Sequence, residues 1–144
     1  MTFERFDQSR VDEILAVEKE NFSDGWSREQ LISAFRTGNF YCDALIVNGK
    51  TVGLITYSLT VDTADIEGVV TVTSERGKGY GKALVSRALS QIESFNKTKV
   101  FLEVRESNVP AIALYSGQDF NKISVRKNYY QDGETALVMV KELV

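Results

Sequence analysis

The stretch "SERGKGYGKAL", residues 74–84, decides how the rest of the chain is read. Positions 76 to 82 hold three glycines and three cations in seven residues. Glycine loses more conformational freedom on folding than any other residue, so a cluster of it calls for a structural reason. Ahead of it, "DIEGVVTV" at 65–72 reads as a strand. Behind it, Leu84, Ala88 and Ile92 recur every four residues with Val85 and Leu89 beside them, the buried stripe of a helix that begins near Tyr80. A helix start offers unpaired N–H groups and the positive end of the macrodipole, and so attracts anions. Gly77, Gly79 and Gly81 let the backbone approach a guest, and Arg76, Lys78 and Lys82 add charge; phosphate or pyrophosphate fits both features. A dinucleotide fingerprint starting at Gly77 would need glycine where Lys82 stands, and a P-loop would need Ser or Thr where Ala83 stands. A solvated surface turn would carry the same composition.

Working outward, 144 residues suit one core, and the expectation is that residues 1–144 form a single domain. The apolar share of 43% and charged share of 26% are those of a globular chain. The formal charge of −3 argues against electrostatic attraction to nucleic acid, which makes the cations at 76–82 a local feature. No apolar run has the length of a membrane span, and "MTFERFDQSR" lacks the apolar stretch of a signal peptide. Cys42, the single cysteine, has no disulfide partner within the chain. Together these favour a cytoplasmic setting with no membrane contact. Histidine is absent, which removes a Ser-His-Asp triad, a His-paired cysteine and a His-based metal site. Any general base must be a carboxylate, a tyrosine, a lysine, a terminus or water. Cys42 has no neighbour in sequence to activate it and reads as a small core residue.

The element order is mixed. "TFERF" alternates as a first strand. Residues 10–21 carry a helical stripe of Val11, Ile14, Leu15, Val17 and Glu18, with Ser9 as the expected cap. Ser27 followed by Gln30 is a capping box before Leu31, Ile32 and Phe35. Residues 41–47 and 50–60 flank Asn48-Gly49, a hairpin turn signal. After the helix that begins at Tyr80, "KVFLEV" is a short inner strand and 108–115 is a helix with Pro110 in its first turn. Strands over 120–130 and 134–143, separated by Asp132-Gly133, complete the chain. This order predicts an α/β fold with parallel and antiparallel pairs in one sheet.

Arg76-x-x-Gly79-x-Gly81 resembles the pyrophosphate loop of the GCN5-related N-acetyltransferases (GNAT superfamily). "FLEVRESNVPAIALYSGQDF" is similar to the second half of that superfamily's core, and most similar to its ribosomal-protein alanine N-acetyltransferase branch. The branch pattern is met by Leu102-Glu103-Val104-Arg105, Ser107-Asn108, Ala111-Ile112 and Leu114-Tyr115. "RKNYY" at 126–130 and the Phe22–Ser27 run also look like it, with Gly25 where proline is usual. Two departures stand out. Tyr115-Ser116-Gly117-Gln118-Asp119-Phe120 replaces the usual Tyr-x-x-x-Gly-Phe, moving the glycine two places earlier, and 69–75 lacks the common Val-Asp-Pro turn.

The resemblance implies a mixed central sheet whose parallel strands, near 63–72 and 98–104, splay apart, flanked by about four helices. It implies direct acetyl transfer from acetyl coenzyme A to an amine, with no metal. The cosubstrate would lie along the backbone of Val69, Val70 and Thr71, with its pyrophosphate on Arg76, Gly77, Lys78, Gly79, Tyr80, Gly81 and Lys82, and Asn108 in contact. Asn108 also reads as a plain helix cap. Glu103 shares a strand face with Lys99 and Phe101 and is the implied base, against a plain surface pairing with Lys99 or Arg105. Tyr115 is the implied acid. Glu67, placed by alternation with Val69 and Thr71, is the rival base. Trp26, Tyr129 and Tyr130 are candidates for the acceptor side. The implied acceptor is a protein N-terminus, an alanine-starting small-subunit ribosomal protein. Lysine, a small amine, or a silent acetyl coenzyme A-binding module remain alternatives.

Overall fold

The computed structural model describes residues 1–21 and 25–143, so Phe22, Ser23 and Asp24 of the Phe22–Ser27 resemblance lie outside the described residues. The order is β1 (Thr2–Phe6), α1 (Val11–Asn21), α2 (Arg28–Arg36), β2 (Phe40–Val47), β3 (Lys50–Leu59), β4 (Thr63–Thr71), α3 (Tyr80–Ser94), β5 (Lys99–Arg105), α4 (Val109–Ser116), β6 (Asn121–Arg126) and β7 (Ala136–Glu142). The strands form one seven-stranded sheet in the order β1-β2-β3-β4-β5-β7-β6. β4 and β5 are parallel and joined by the α3 crossover; the other neighbours are antiparallel. Among the described residues no helix is long and apolar enough to cross a membrane.

Helices cover both faces. On one, Leu84, Val85, Ala88 and Ile92 of α3 pack with Ile55, Ala64, Ile66 and Leu102. On the other, Ile14 and Leu31 of α1 and α2 pack with Cys42, Leu54 and Val70. Each fully buried Leu or Ile contributes about 1.5–3 kcal/mol, so these stripes hold the layers together. Ile66 belongs to the α3 face and Val70 to the α1/α2 face, although both are even-numbered on one strand. A bulge explains it: Tyr57 pairs with Ile66 and Thr56 with Gly68, so Glu67 is an extra residue outside the β3 backbone register. The expected sharing of a face by Glu67, Val69 and Thr71 fails at this point.

Other differences are local. Asp7, not Ser9, caps the first turn, its Oδ1 accepting the Ser9 N–H at 2.9 Å, and a 3₁₀ turn at Gln8–Arg10 precedes α1. The Ser9 hydroxyl donates to the same Oδ1 at 2.5 Å, so it supports this cap instead of forming one. The last two strands are shorter than expected. Asn128 turns to φ +53°, and the Tyr130 N–H donates to Glu134 O at 3.2 Å, folding 127–135 into a loop. The Ser27–Gln30 capping box, the Asn48-Gly49 turn with φ of +52° and +75°, and the α3 stripe all form as read.

The α4 exit answers the displaced glycine. Gly117 has φ −68°, which any residue adopts, whereas Asp119 carries φ +69°. Asp119 thus occupies the left-handed position that glycine suits. Asp119→Gly is expected to raise the melting temperature by a few degrees, equivalent to about 1 kcal/mol. A fall would show that the Lys141 pairing of Asp119, 3.7 Å long, outweighs backbone strain.

Candidate active site

The glycine turn is built for open backbone. Gly77 and Gly79 have φ of +82° and +81°, and a Cβ on either would meet no described atom within 4 Å. Gly79 is the N-cap of α3 and supplies no side-chain cap. The ladder starts with Ala83 N–H donating to Gly79 O at 3.2 Å, so the N–H groups of Tyr80, Gly81 and Lys82 precede it. Gly81 has a different reason to be small: a Cβ there would stand 3.3 Å from Leu114 Cδ2 of α4. The Gln118 amide ties the same two helices by donating to Lys82 O at 3.2 Å and Ser86 Oγ at 3.1 Å. Lys78 pairs with Glu75 at 2.6 Å.

Beside this turn the sheet opens. β4 and β5 pair from Thr63/Lys99 only as far as Ile66/Leu102, after which the strands separate. The bulge at Glu67 bends β4 at the next residue. A cleft of about 1230 Å³ results, and Glu67, Val69, Glu103, Asn108, Tyr115 and Tyr130 are among its walls. Val70 is buried in the α1/α2 core and offers only backbone, while Thr71 ends the strand opposite Gly53. Asn108 caps α4, its Oδ1 accepting the Ala111 N–H at 3.2 Å. Trp26 lines the cleft and packs edge-on against Phe40 at 5.3 Å. A second groove of about 620 Å³ continues from the cleft through Glu67, Glu103 and Tyr130, over Phe101 and Val138, to Tyr129.

The cleft gathers carboxyls. Burial pushes Glu67 up from its ordinary range, and Asp65 and Glu103 push it further, against the Ser58 hydroxyl donating to its Oε1 at 2.7 Å. Asp65 is likewise raised by burial and then by Glu103. Among the described residues Glu103 forms its ion pair with Arg126, whose Nε lies 3.7 Å from Oε2, and not with Lys99 or Arg105; Oε2 is buried without a hydrogen-bond partner among those residues. Tyr115 is buried, packs edge-on against Phe120 at 5.9 Å, and is pushed up to about 12, by burial first and Tyr130 second. Cys42 is fully buried and burial raises its thiol strongly, so it is inert.

Residues 9–120 match the Acetyltransferase (GNAT) family, and the chain belongs to that family. It is an N-acetyltransferase. The [ribosomal protein bS18]-alanine N-acetyltransferase of Escherichia coli (strain K12) is 32% identical over 118 residues, 79% of this chain and 78% of that one. An N-alpha-acetyltransferase of Saccharolobus solfataricus is 37% identical over 79 residues, 54% of this chain and 47% of the relative. The crystal structure of the ribosomal-protein-S18-alanine N-acetyltransferase from Escherichia coli superposes with a TM-score of 0.91 at 26% identity, covering 99% of this chain and 93% of that one.

Sequence reasoning passed over Glu18. It is 4% exposed on α1, at the edge of the cleft, and its Oε2 has no hydrogen-bond partner among the described residues. Its signal was present, since it sits four residues after Ile14 on the apolar stripe. Burial pushes its carboxyl up to about 7, against the Trp26 N–H that bonds the charged form. A raised carboxyl contributes stability below its unfolded pKa of about 4.3 that is lost as pH climbs through the folded value. Glu18→Gln should therefore match the wild type near pH 4 and exceed it by up to about 3 kcal/mol near pH 8, read by denaturant titration. Equal stability at both pH values would mean that Glu18 is solvated.

Proposed function

We propose that this N-acetyltransferase moves the acetyl group of acetyl coenzyme A onto the N-terminal α-amine of a protein, an alanine-starting ribosomal protein of the small subunit. The observation that carries the reading is one cleft, opened by the parting of β4 from β5, that holds Glu67, Glu103 and Tyr115, while the uncapped start of α3 packs through Gly81 on α4, the helix that supplies Tyr115. Similarity over most of the chain to an alanine N-acetyltransferase supports the acceptor.

The residues fit the cosubstrate. The β5-facing edge of 67–71 lies beyond the last β4–β5 pair and can hydrogen-bond an extended amide-bearing arm. The N–H groups ahead of the α3 ladder, with Arg76, Lys78 and Lys82, suit a pyrophosphate. Asn108 stands on the opposite wall of the cleft. When bound, acetyl coenzyme A supplies an activated acetyl thioester. An α-ammonium has a pKa near 7.7–8.0, so at neutral pH a proton must be removed before nitrogen can attack. Glu103 Oε2, which has no hydrogen-bond partner among the described residues and an ion pair to Arg126 at 3.7 Å, is the acceptor for that proton, directly or through water. Glu67 adds negative potential that favours an ammonium in the cleft. Tyr115 Oη, in the cleft wall, holds its proton across the working pH range and would donate it, in a hydrogen bond, to a thiolate leaving there. A thiol titrates near 8.5, so full transfer from Tyr115 would be uphill; its part is a hydrogen bond. Trp26, Tyr129 and Tyr130 form the acceptor side.

The test is incubation with acetyl coenzyme A and a panel of alanine-starting peptides, lysine peptides and polyamines, with the acetyl group located by mass spectrometry. Acetylation of the peptide α-amine supports the reading; modification confined to lysine or polyamine, or none, overturns it. Glu103→Gln should lower kcat/KM for the peptide by about 10²–10⁴-fold, with a loss that shrinks above the amine pKa. Glu67→Gln should cost less, and the reverse order would move the base to β4. Gly79→Val should remove most of the thermal stabilisation given by acetyl coenzyme A, because valine cannot hold φ +81°. An undiminished shift would defeat the loop's role.

A further inference from the structure

Arg105 follows the implied base by two residues on β5, and its side chain gathers a loop rather than a ligand. Its Nη1 donates to Asp132 Oδ2 at 2.8 Å and to Glu134 Oε1 at 2.9 Å. Its guanidinium lies over the Tyr130 ring, 4.1 Å from the centroid. The other Glu134 oxygen, Oε2, accepts the Ser107 N–H at 2.9 Å, and Asp132 Oδ1 accepts the Glu134 N–H at 3.0 Å. Two backbone bonds finish the loop, Gly133 N–H to Tyr130 O at 2.8 Å and Tyr130 N–H to Glu134 O at 3.2 Å. One cation thus fixes both acids of the 130–134 loop and the face of its tyrosine to the end of β5. Glu134 also binds the segment that leads into α4.

The consequence falls on the acceptor side. Tyr130 and Asp132 both line the main cleft, and Tyr130 borders the second groove as well. Tyr130 is close enough to Glu103 to be raised by it, after burial, and close enough to Tyr115 to raise that phenol in turn. The clamp stays charged. The Glu134 N–H holds Asp132 below the usual carboxylate range, with Arg105 adding to it; Ser107 and then Arg105 do the same for Glu134.

We propose that Arg105 is a positioning residue for the acceptor: by clamping Asp132, Glu134 and the Tyr130 ring it holds the 130–134 loop as the wall against which the incoming amine is placed. This rests on the acceptor lying in the cleft, as argued above. Lysine can replace it only in part, because an ammonium keeps the charge but lacks the planar fork that bridges two carboxylates while stacking on a ring.

The test compares Arg105→Lys and Arg105→Met with wild type in steady-state kinetics, varying each substrate, and in hydrogen exchange of 130–134. KM for the acceptor should rise about tenfold or more in Arg105→Met and by less in Arg105→Lys. KM for acetyl coenzyme A should stay within about twofold, and the Tyr130 and Gly133 amides should exchange faster. An unchanged acceptor KM, or equal rises for both substrates, overturns the proposal. Wild-type turnover on the amine panel tests the function itself, and the variant-to-wild-type ratio, measured on whichever amine is used, tests Arg105. If Arg105→Met unfolds, the Arg105→Lys ratio alone decides by the same criterion.

Discussion

The extra residue at Glu67 is the constraint on which the site depends. A strand that keeps its alternation and its pairing along both edges leaves no room between neighbours. Here β4 stays paired to β3 through Thr71 but leaves β5 after Ile66. The bulge bends the strand, increases its twist and exchanges its two faces. Ile66 can therefore complete the α3 core while Val70, four residues on, completes the α1/α2 core. The same bend turns the β5-facing edge of 67–71 toward a cleft and sets the Glu67 carboxyl beside Asp65 and Glu103.

Around that opening the chain spends its polar groups unevenly. Several cations outside the core are tied to nearby acids, as with Lys78 to Glu75 and Arg10 to Glu4 and Glu13, pairs that contribute little each. In the core, Asp43 is fully buried and bonded by Tyr57 Oη at 2.8 Å and by Arg5, with Arg87 3.4 Å away. Arg5 and Arg87 reach it from β1 and α3, so this network docks the long helix on the sheet. Glu18 and Glu103 are different, each retaining a buried oxygen with no hydrogen-bond partner among the described residues. Such atoms are costly to keep, and both border the same cleft.

Much of this was legible in the sequence because short-range rules acted alone. The α3 stripe, the Ser27–Gln30 box, the Asn48-Gly49 turn and Pro110 each follow from spacing within a few residues. The candidate site was marked in the sequence by the glycines at 76–82 and the family pattern at 102–115. What was hidden depended on partners distant in sequence. The bulge needs the β3 register, and "DIEGVVTV" alternates convincingly without it. Arg126 reaches Glu103, and Arg105 reaches Asp132 and Glu134, across a loop that the aromatic run Tyr129-Tyr130 disguised as strand. Asp119 was visible as a departure, but its positive φ became readable only with the α4 exit in view.

The parting of β4 and β5 as the seat of the cosubstrate is open to direct measurement by hydrogen exchange with and without acetyl coenzyme A. Amides at 67–71 and 77–82 should slow on addition, because they pair with the bound molecule, while those of β1, at the far edge of the sheet, should not change. Unaltered exchange at both segments, with saturating ligand and protection appearing elsewhere, would contradict the assignment of the cleft.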